Sequence, residues 1–303
     1  MLSPTPFDGT SRPFTIGLKP LDPAAWIETD GDLAPMLAEK DRLNAAIPAE
    51  VFVEEPDTRA AQAEVRDLLV GHLLAACPDR YAMAGRHLLV DGVPRADLDD
   101  TGRPPLLAAA SLVADDLVLM RRSDAGWRLV AASLCFPSSW TLSEKFGRSL
   151  QVIHNPVPGF GEGTRTADVI QRIFDNIKGG QSLVRWNWSL QGDATLYKPL
   201  SNDQRDTRAT ASTRRFPGGL VRTFIRVERQ TLTALPASGD ILFTIRIYLD
   251  PLQTLARHPD RVPLARSLAT QLEGLDAAQL GYKGLAADRD TLVAQLRTMA
   301  DAG

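Results

Sequence analysis

The residues with the clearest chemical potential lie in one run, FPSSWTLSEKFGRSLQVIHNPVPGF, from Phe136 to Phe160. Thr141 followed by Glu144 has the spacing of a capping box. It predicts a helix from about Leu142 to Ile153. Phe146, Leu150 and His154 recur every four residues, so the imidazole should share the helix's apolar face and point toward the core. Asn155 precedes a proline and is driven out of the α region, and Pro156 and Pro158 stiffen the exit. An imidazole held between a helix end and a proline-locked segment has little freedom. That suits a metal ligand, which must present one nitrogen at a fixed distance and angle. Lys145 and Arg148, close by, could meet anionic groups. The same residues also fit a buried structural histidine bonded to a backbone carbonyl, and the local pattern does not choose between the two.

Other constellations are weaker. His72 sits beside Leu73 and Leu74 on an expected helix, and His87 and His258 fall in loop-like contexts; no pair has the i, i+4 spacing of a zinc helix. The two cysteines, Cys77 and Cys135, are too few to ligate an iron–sulfur cluster or to form a disulfide framework. Cys135 is an alternative thiolate ligand, although an apolar strand-like run makes it a small hydrophobe first. Arg185, Asn187 and Trp188 lie in LVRWNWSL, residues 183–190, which reads as a cavity wall or as ordinary packing. Arg226, Glu228 and Arg246 have the period-two phase to share faces of adjacent strands. Glu228 could hold a cationic amine there, with the arginines keeping it ionised; the alternative is a solvated face of cross-strand ion pairs. Asp115 and Asp116 read as a helix stop. The glycines of 159–163 follow Pro-Val-Pro rather than a strand, so they are not a dinucleotide fingerprint.

The elements that must carry these groups are mixed. Residues 1–24 form an extended arm anchored by Phe14, Leu18 and Leu21. Helices are expected over 33–46, 58–76, 106–114, 142–153, 165–178 and 262–301, and strands over 116–121, 127–136, 221–229 and 240–249. The polar stretch 200–216 reads as a mobile surface loop. The sum is α+β, an antiparallel sheet packed by helices. The expected division is an arm and helix over 1–57, a core over 58–255 and a helical segment over 256–303, joined as one unit.

Composition sets limits. The chain has 303 residues, 44% of them hydrophobic, enough for a core that encloses a ligand. A net charge of −3 gives no basic excess for nucleic acid. No apolar run approaches the roughly 20 residues of a membrane span, and the first residues lack a signal-peptide pattern, so a cytoplasmic protein is expected.

The His154 run, with GLKPLD at 17–22, LVADDL at 112–117, RWNWSL at 185–190, RVERQTL at 226–232 and LFTIRIY at 242–248, resembles the α-subunit-like family of haem-dependent oxidative N-demethylases. The match runs in order over roughly residues 13–255. The resemblance implies a PAS-like fold holding haem b, with a histidine as axial ligand to the iron. It points to His154 for that role. Lys145, Arg148, Arg185, Asn187 and Trp188 then become candidates to hold the haem, Glu228 to anchor the amine in catalysis, and Arg226 and Arg246 to meet propionates or serve as distal polar groups beside Glu228. It further implies a monooxygenase that removes an N-methyl group of a small amine as formaldehyde, using O₂. Electrons would come from a separate flavin or iron–sulfur reductase fed by NAD(P)H. The alternative implied by a PAS-like fold is a haem-binding sensor or carrier without turnover.

Overall fold

The structure, a computed structural model, describes Leu2, residues 4–210 and residues 213–302. The alternating runs in the sequence become long antiparallel strands because β-branched and aromatic side chains fit a pleated surface buried on both faces. The strands are β1 (Lys19–Pro20), β2 (Phe52–Glu54), β3 (Tyr81–Ala84), β4 (His87–Val90), β5 (Val93–Asp97), β6 (Asp116–Ser123), β7 (Gly126–Ser133), β8 (Ser182–Gln191), β9 (Phe224–Ala234) and β10 (Ile241–Pro251). Seven of them form the main sheet, in the order β1-β8-β9-β10-β6-β7-β2, and β3-β4-β5 form a small second sheet. Residues 1–57 therefore contribute both edges of the main sheet. The fold is α+β, as the alternation and helical spacing predict.

The helices are α1 (Leu33–Ala46), α2 (Pro48–Val51), α3 (Arg59–Ala76), α4 (Pro105–Ala110), α5 (Leu142–Lys145), α6 (Leu150–His154), α7 (Arg165–Asn176), α8 (Asn202–Thr210), α9 (Arg261–Glu273), α10 (Ala277–Lys283) and α11 (Arg289–Asp301). Three differ from the sequence reading. The single helix expected over 142–153 is split into α5 and α6. Gly147 adopts a left-handed φ of 71° between them, and the chain there pairs with β7, Gly147 N donating to Leu129 O and Leu129 N to Arg148 O. The Thr141 side chain makes no cap; Ser149 caps α6 instead. Residues 202–210, expected as a mobile loop, form α8 with Arg205 buried. The C-terminal segment is three helices rather than one continuous run.

Register decides what each face carries. Arg185 lies opposite Gln230 and Asn187 opposite Glu228, while Gln230 lies opposite Ile245 and Leu232 opposite Phe243. These side chains share one face, which α6 and α7 cover. Trp186, Arg229 and Arg246 occupy the other face. There Arg229 donates to Trp26 O at 2.9 Å and Arg246 pairs with Asp30 at 2.8 Å. Helices α9 and α11 pack together below Trp188, Val227 and Tyr248 on that same face.

Candidate functional site

A cavity of about 620 Å³ opens on the α6–α7 face of the sheet. Its apolar wall includes Met120, Leu129, Phe160, Ile170, Phe174 and Phe243. His154 lies on the same wall. Its Nδ1 donates to Leu150 O at 2.9 Å, one helical turn back. That bond fixes the tautomer and leaves Nε2 as the lone-pair nitrogen, with no protein partner among the described residues. Burial, set against the Leu150 bond and aided by the nearby Arg185 and Lys145 charges, pushes the imidazole down to about 4. It is therefore neutral, and able to ligate, at ordinary pH.

Charge is distributed very unevenly around this space. Lys145, Arg185, Lys198, Arg205, Arg208, Arg215 and Lys283 all line it, against a single carboxylate, Glu228. Lys198 pairs with Asp193, and Arg215 lies in the field of Asp288. The other five have no carboxylate within ion-pair distance among the described residues. They donate to neutral groups: Lys145 to Ile153 O, Arg185 to Thr15 O at 3.2 Å, Arg205 to Ser139 O at 2.8 Å, Arg208 to Ser139 Oγ at 2.9 Å, and Lys283 to Trp188 O at 2.6 Å. Burial pushes both Lys145 and Lys283 down to about 8 and Arg208 to about 10. Buried cations without counter-ions are costly, and such an arrangement is built to receive an anion. Phe14 and Ser139, two non-glycine residues with left-handed φ (56° and 65°), both line the cavity. Strain of this kind gathers at ligand sites.

Glu228 is held by three donors. Gln230 Nε2 lies at 2.9 Å, Asn187 Nδ2 at 3.3 Å and Arg226 Nε at 3.4 Å. Arg226 is fully buried and also donates to Phe136 O at 2.5 Å and Leu196 O at 3.2 Å. It anchors Glu228 and the loop over 136–140 from behind rather than lining the cavity.

Of the residues singled out in the sequence, the cavity brings together His154, Lys145, Arg185, Asn187 and Glu228, with Arg226 supporting the last. Three belong elsewhere. Arg148 is exposed and off the cavity, because the break at Gly147 turns it outward. Trp188 alternates to the far face, where Nε1 donates to Gln271 at 3.0 Å. Arg246 lies opposite Arg229 and bonds Asp30 across the far face, so it cannot meet Glu228. Cys135 is buried off the cavity, its thiol pushed up to about 12 by burial and by Asp116, which removes it as a thiolate ligand. Asp116 accepts from Cys135 N and Phe136 N, each at 2.8 Å, and is an anchor for the cavity loop rather than a member of the site. Sequence reasoning missed Arg205, Arg208, Tyr282 and Lys283. The only signal for the first pair was the i, i+3 spacing of two arginines inside a polar stretch.

A family model described as haem-dependent oxidative N-demethylase, alpha subunit-like, matches residues 17–293. The chain belongs to this family. The haem that the family name implies can be tested against the donor set. No three His, Cys, Asp or Glu side chains among the described residues converge as a metal cage. A porphyrin supplies four of the iron's ligands itself and needs only one axial imidazole, which His154 Nε2 offers. The cavity lies within the roughly 300–1,000 Å³ of small-molecule sites. Its apolar wall suits a macrocycle, and Lys145 and Arg185, both near enough to depress His154, suit the carboxylates at its rim. The residues fit the group. No helix among the described residues is long and apolar enough to cross a membrane.

Proposed function

We propose that this chain binds haem b through His154 Nε2 and carries out oxidative N-demethylation of a small methylated amine. The observation that supports it most is the imidazole, tautomer-locked by Leu150 O, with its free nitrogen on the wall of a cation-rich cavity. Bound there, haem iron would supply O₂ activation and the oxidising power to hydroxylate an N-methyl carbon. The balanced reaction takes the amine, O₂, two electrons and two protons to the demethylated amine, formaldehyde and water.

The chain's own residues do the rest. Lys145 and Arg185 hold the propionates. Glu228, the lone carboxylate in the cavity, binds the ammonium and orients its methyl group. The hydroxymethyl amine collapses when a proton leaves its oxygen and reaches its nitrogen, and Glu228, placed at that nitrogen, can carry it. The apolar wall keeps water from the reacting carbon. Electrons come from a separate flavin or iron–sulfur reductase drawing on NAD(P)H. The PAS-like description of the sheet belongs to the same reading.

Haem-loaded protein mixed with an N-methyl amine and a reductase should release formaldehyde in step with O₂ consumed. The chain given NADPH without a reductase should not. Protein that takes up no haem when haem is supplied would overturn the proposal. Haem uptake without formaldehyde from any N-methyl amine would leave a sensor or carrier.

A further inference from the structure

The cations of the cavity fall into two groups. Lys145 and Arg185 act on His154. Arg205, Arg208 and Arg185, together with Glu228, set the environment of Tyr282, and Glu228 and Arg185 act on Lys283. Arg185 is common to both groups, and Glu228 belongs with the second. Two propionates neutralise two of the five unpaired cations, which leaves the second cluster without a counter-charge.

That second cluster is also short of hydrogen-bond partners. Arg208 Nε is buried with none. The guanidinium reaches Ser139 Oγ and Tyr282 O (2.9 and 3.0 Å) through its other nitrogens, which fixes its plane. Tyr282 lines the cavity, and its hydroxyl has no partner among the described residues. Burial raises this phenol above its ordinary value, so it remains a proton donor at neutral pH. Lys283 is held in place by Trp188 O and by the faces of Phe14 and Trp188, 5.1 and 4.8 Å away. A planar guanidinium, a phenol O–H and an ammonium lining one cavity are the donors that a carboxylate recruits.

We infer that the substrate carries its own carboxylate: the cavity takes a small N-methylated amino acid, with its ammonium on Glu228 and its carboxylate on Arg208 and Tyr282. The inference rests on the reading of Glu228 as the amine anchor. A simple dialkylamine would occupy Glu228 and leave the second cluster uncompensated. A zwitterion satisfies both ends at once, since Glu228, Arg208 and Tyr282 all line the same cavity.

The test uses haem-loaded protein and three probes: N,N-dimethylglycine, dimethylamine and acetate. Binding is followed by calorimetry and by the shift of the haem absorption band. The zwitterion should bind at least about tenfold tighter than either half-molecule, the scale of one charge-assisted bond. Tyr282→Phe and Arg208→Gln should each weaken the zwitterion by about tenfold while leaving dimethylamine unchanged. Should Arg208→Gln fail to fold, Tyr282→Phe removes a single oxygen and carries the test alone. Dimethylamine binding as tightly as dimethylglycine, or both variants weakening the two amines equally, overturns the carboxylate subsite and leaves the demethylase reading standing. If neither amine binds, or Glu228→Gln changes neither, the amine anchor itself is lost and both readings fall.

Discussion

His154→Ala separates a ligand from a structural histidine because the two roles predict different magnitudes. In the protein without haem, the substitution deletes one hydrogen bond, Nδ1 to Leu150 O at 2.9 Å. Leu150 O is the carbonyl of the first residue of α6, and the net loss for such a bond is about 0.5–1.5 kcal/mol. Nε2 has no protein partner, so nothing is orphaned on its other side. For a chain of this size about 1 kcal/mol moves the melting temperature by roughly 2–4 °C or less. The apo variant should therefore fold and melt a few degrees below the parent. With haem supplied, the parent should show a Soret band with histidine-ligated character, and the variant should lose or shift it. Added imidazole, small enough to enter the vacated space, should restore the parent band. The measurements are differential scanning calorimetry of both apo proteins and absorption spectra of both loaded ones. A variant that keeps the parent spectrum without imidazole would refute the ligand argument, whatever its stability.

Other expectations follow from the same geometry. Glu228→Gln should weaken amine binding by about tenfold or more in calorimetry while leaving the Soret band in place, since the amide keeps the shape. Arg246→Met should lower stability by on the order of 2 kcal/mol in denaturant melts, below the roughly 3–5 kcal/mol of a fully buried pair because Asp30 is 39% exposed; it should not change amine affinity, because Arg246 lies on the far face. Haem affinity should depend on pH through Lys145, near 8 in the free protein. A propionate beside it raises that value, so affinity should be full below about 8 and fall as pH rises toward the bound-state value, checked by haem transfer to a competing apoprotein across pH 7–10. In the apo protein, His154 held near 4 rather than the ordinary 6.5 binds its proton more weakly folded than unfolded. Its contribution to stability should therefore be complete above 6.5 and decline as pH falls toward 4, read from melts at stepped pH.

How far the site was legible depended on which physical signal each residue obeyed. His154 was legible because Leu150, four residues back, puts it on an inward helical face; the backbone argument beside it failed, since Asn155 stays in the α region (φ −48°, ψ −38°) despite the proline that follows. The interruption at Gly147 was not, because the capping-box spacing of Thr141 and Glu144 is a local preference that pairing with β7 overrides. Glu228 and Arg226 were placed correctly on one face by the two-residue period within a strand. Arg246 was misplaced because that period says nothing about register across a hairpin. The turn between Ala234 and Ile241 sets the register, and there it puts Arg246 opposite Arg229. Arg205 and Arg208 looked like solvated loop because polar composition does not reveal a helix whose arginines turn inward to backbone carbonyls. The α+β class survived all of these errors, since it rests on the periodicity of long segments rather than on single residues.

The cavity is walled by residues spread from Phe14 to Lys283, which has a consequence for biogenesis. At about 5–20 residues per second, the ribosome takes roughly 5–20 s to travel from the Arg185 region to Lys283. Over that interval β9 and β10 are made and complete the sheet wall facing His154, while the α10 side is still missing. Lys283 of α10 later donates to Trp188 O on β8, a carbonyl that must stay clear of any other chain until then. Haem captured before α10 docks would sit in an open groove, and the many long-range pairings make closure slow. Maturation of the holoprotein is thus expected to be a late, post-translational event, gated by the docking of the last helices and not by the supply of haem.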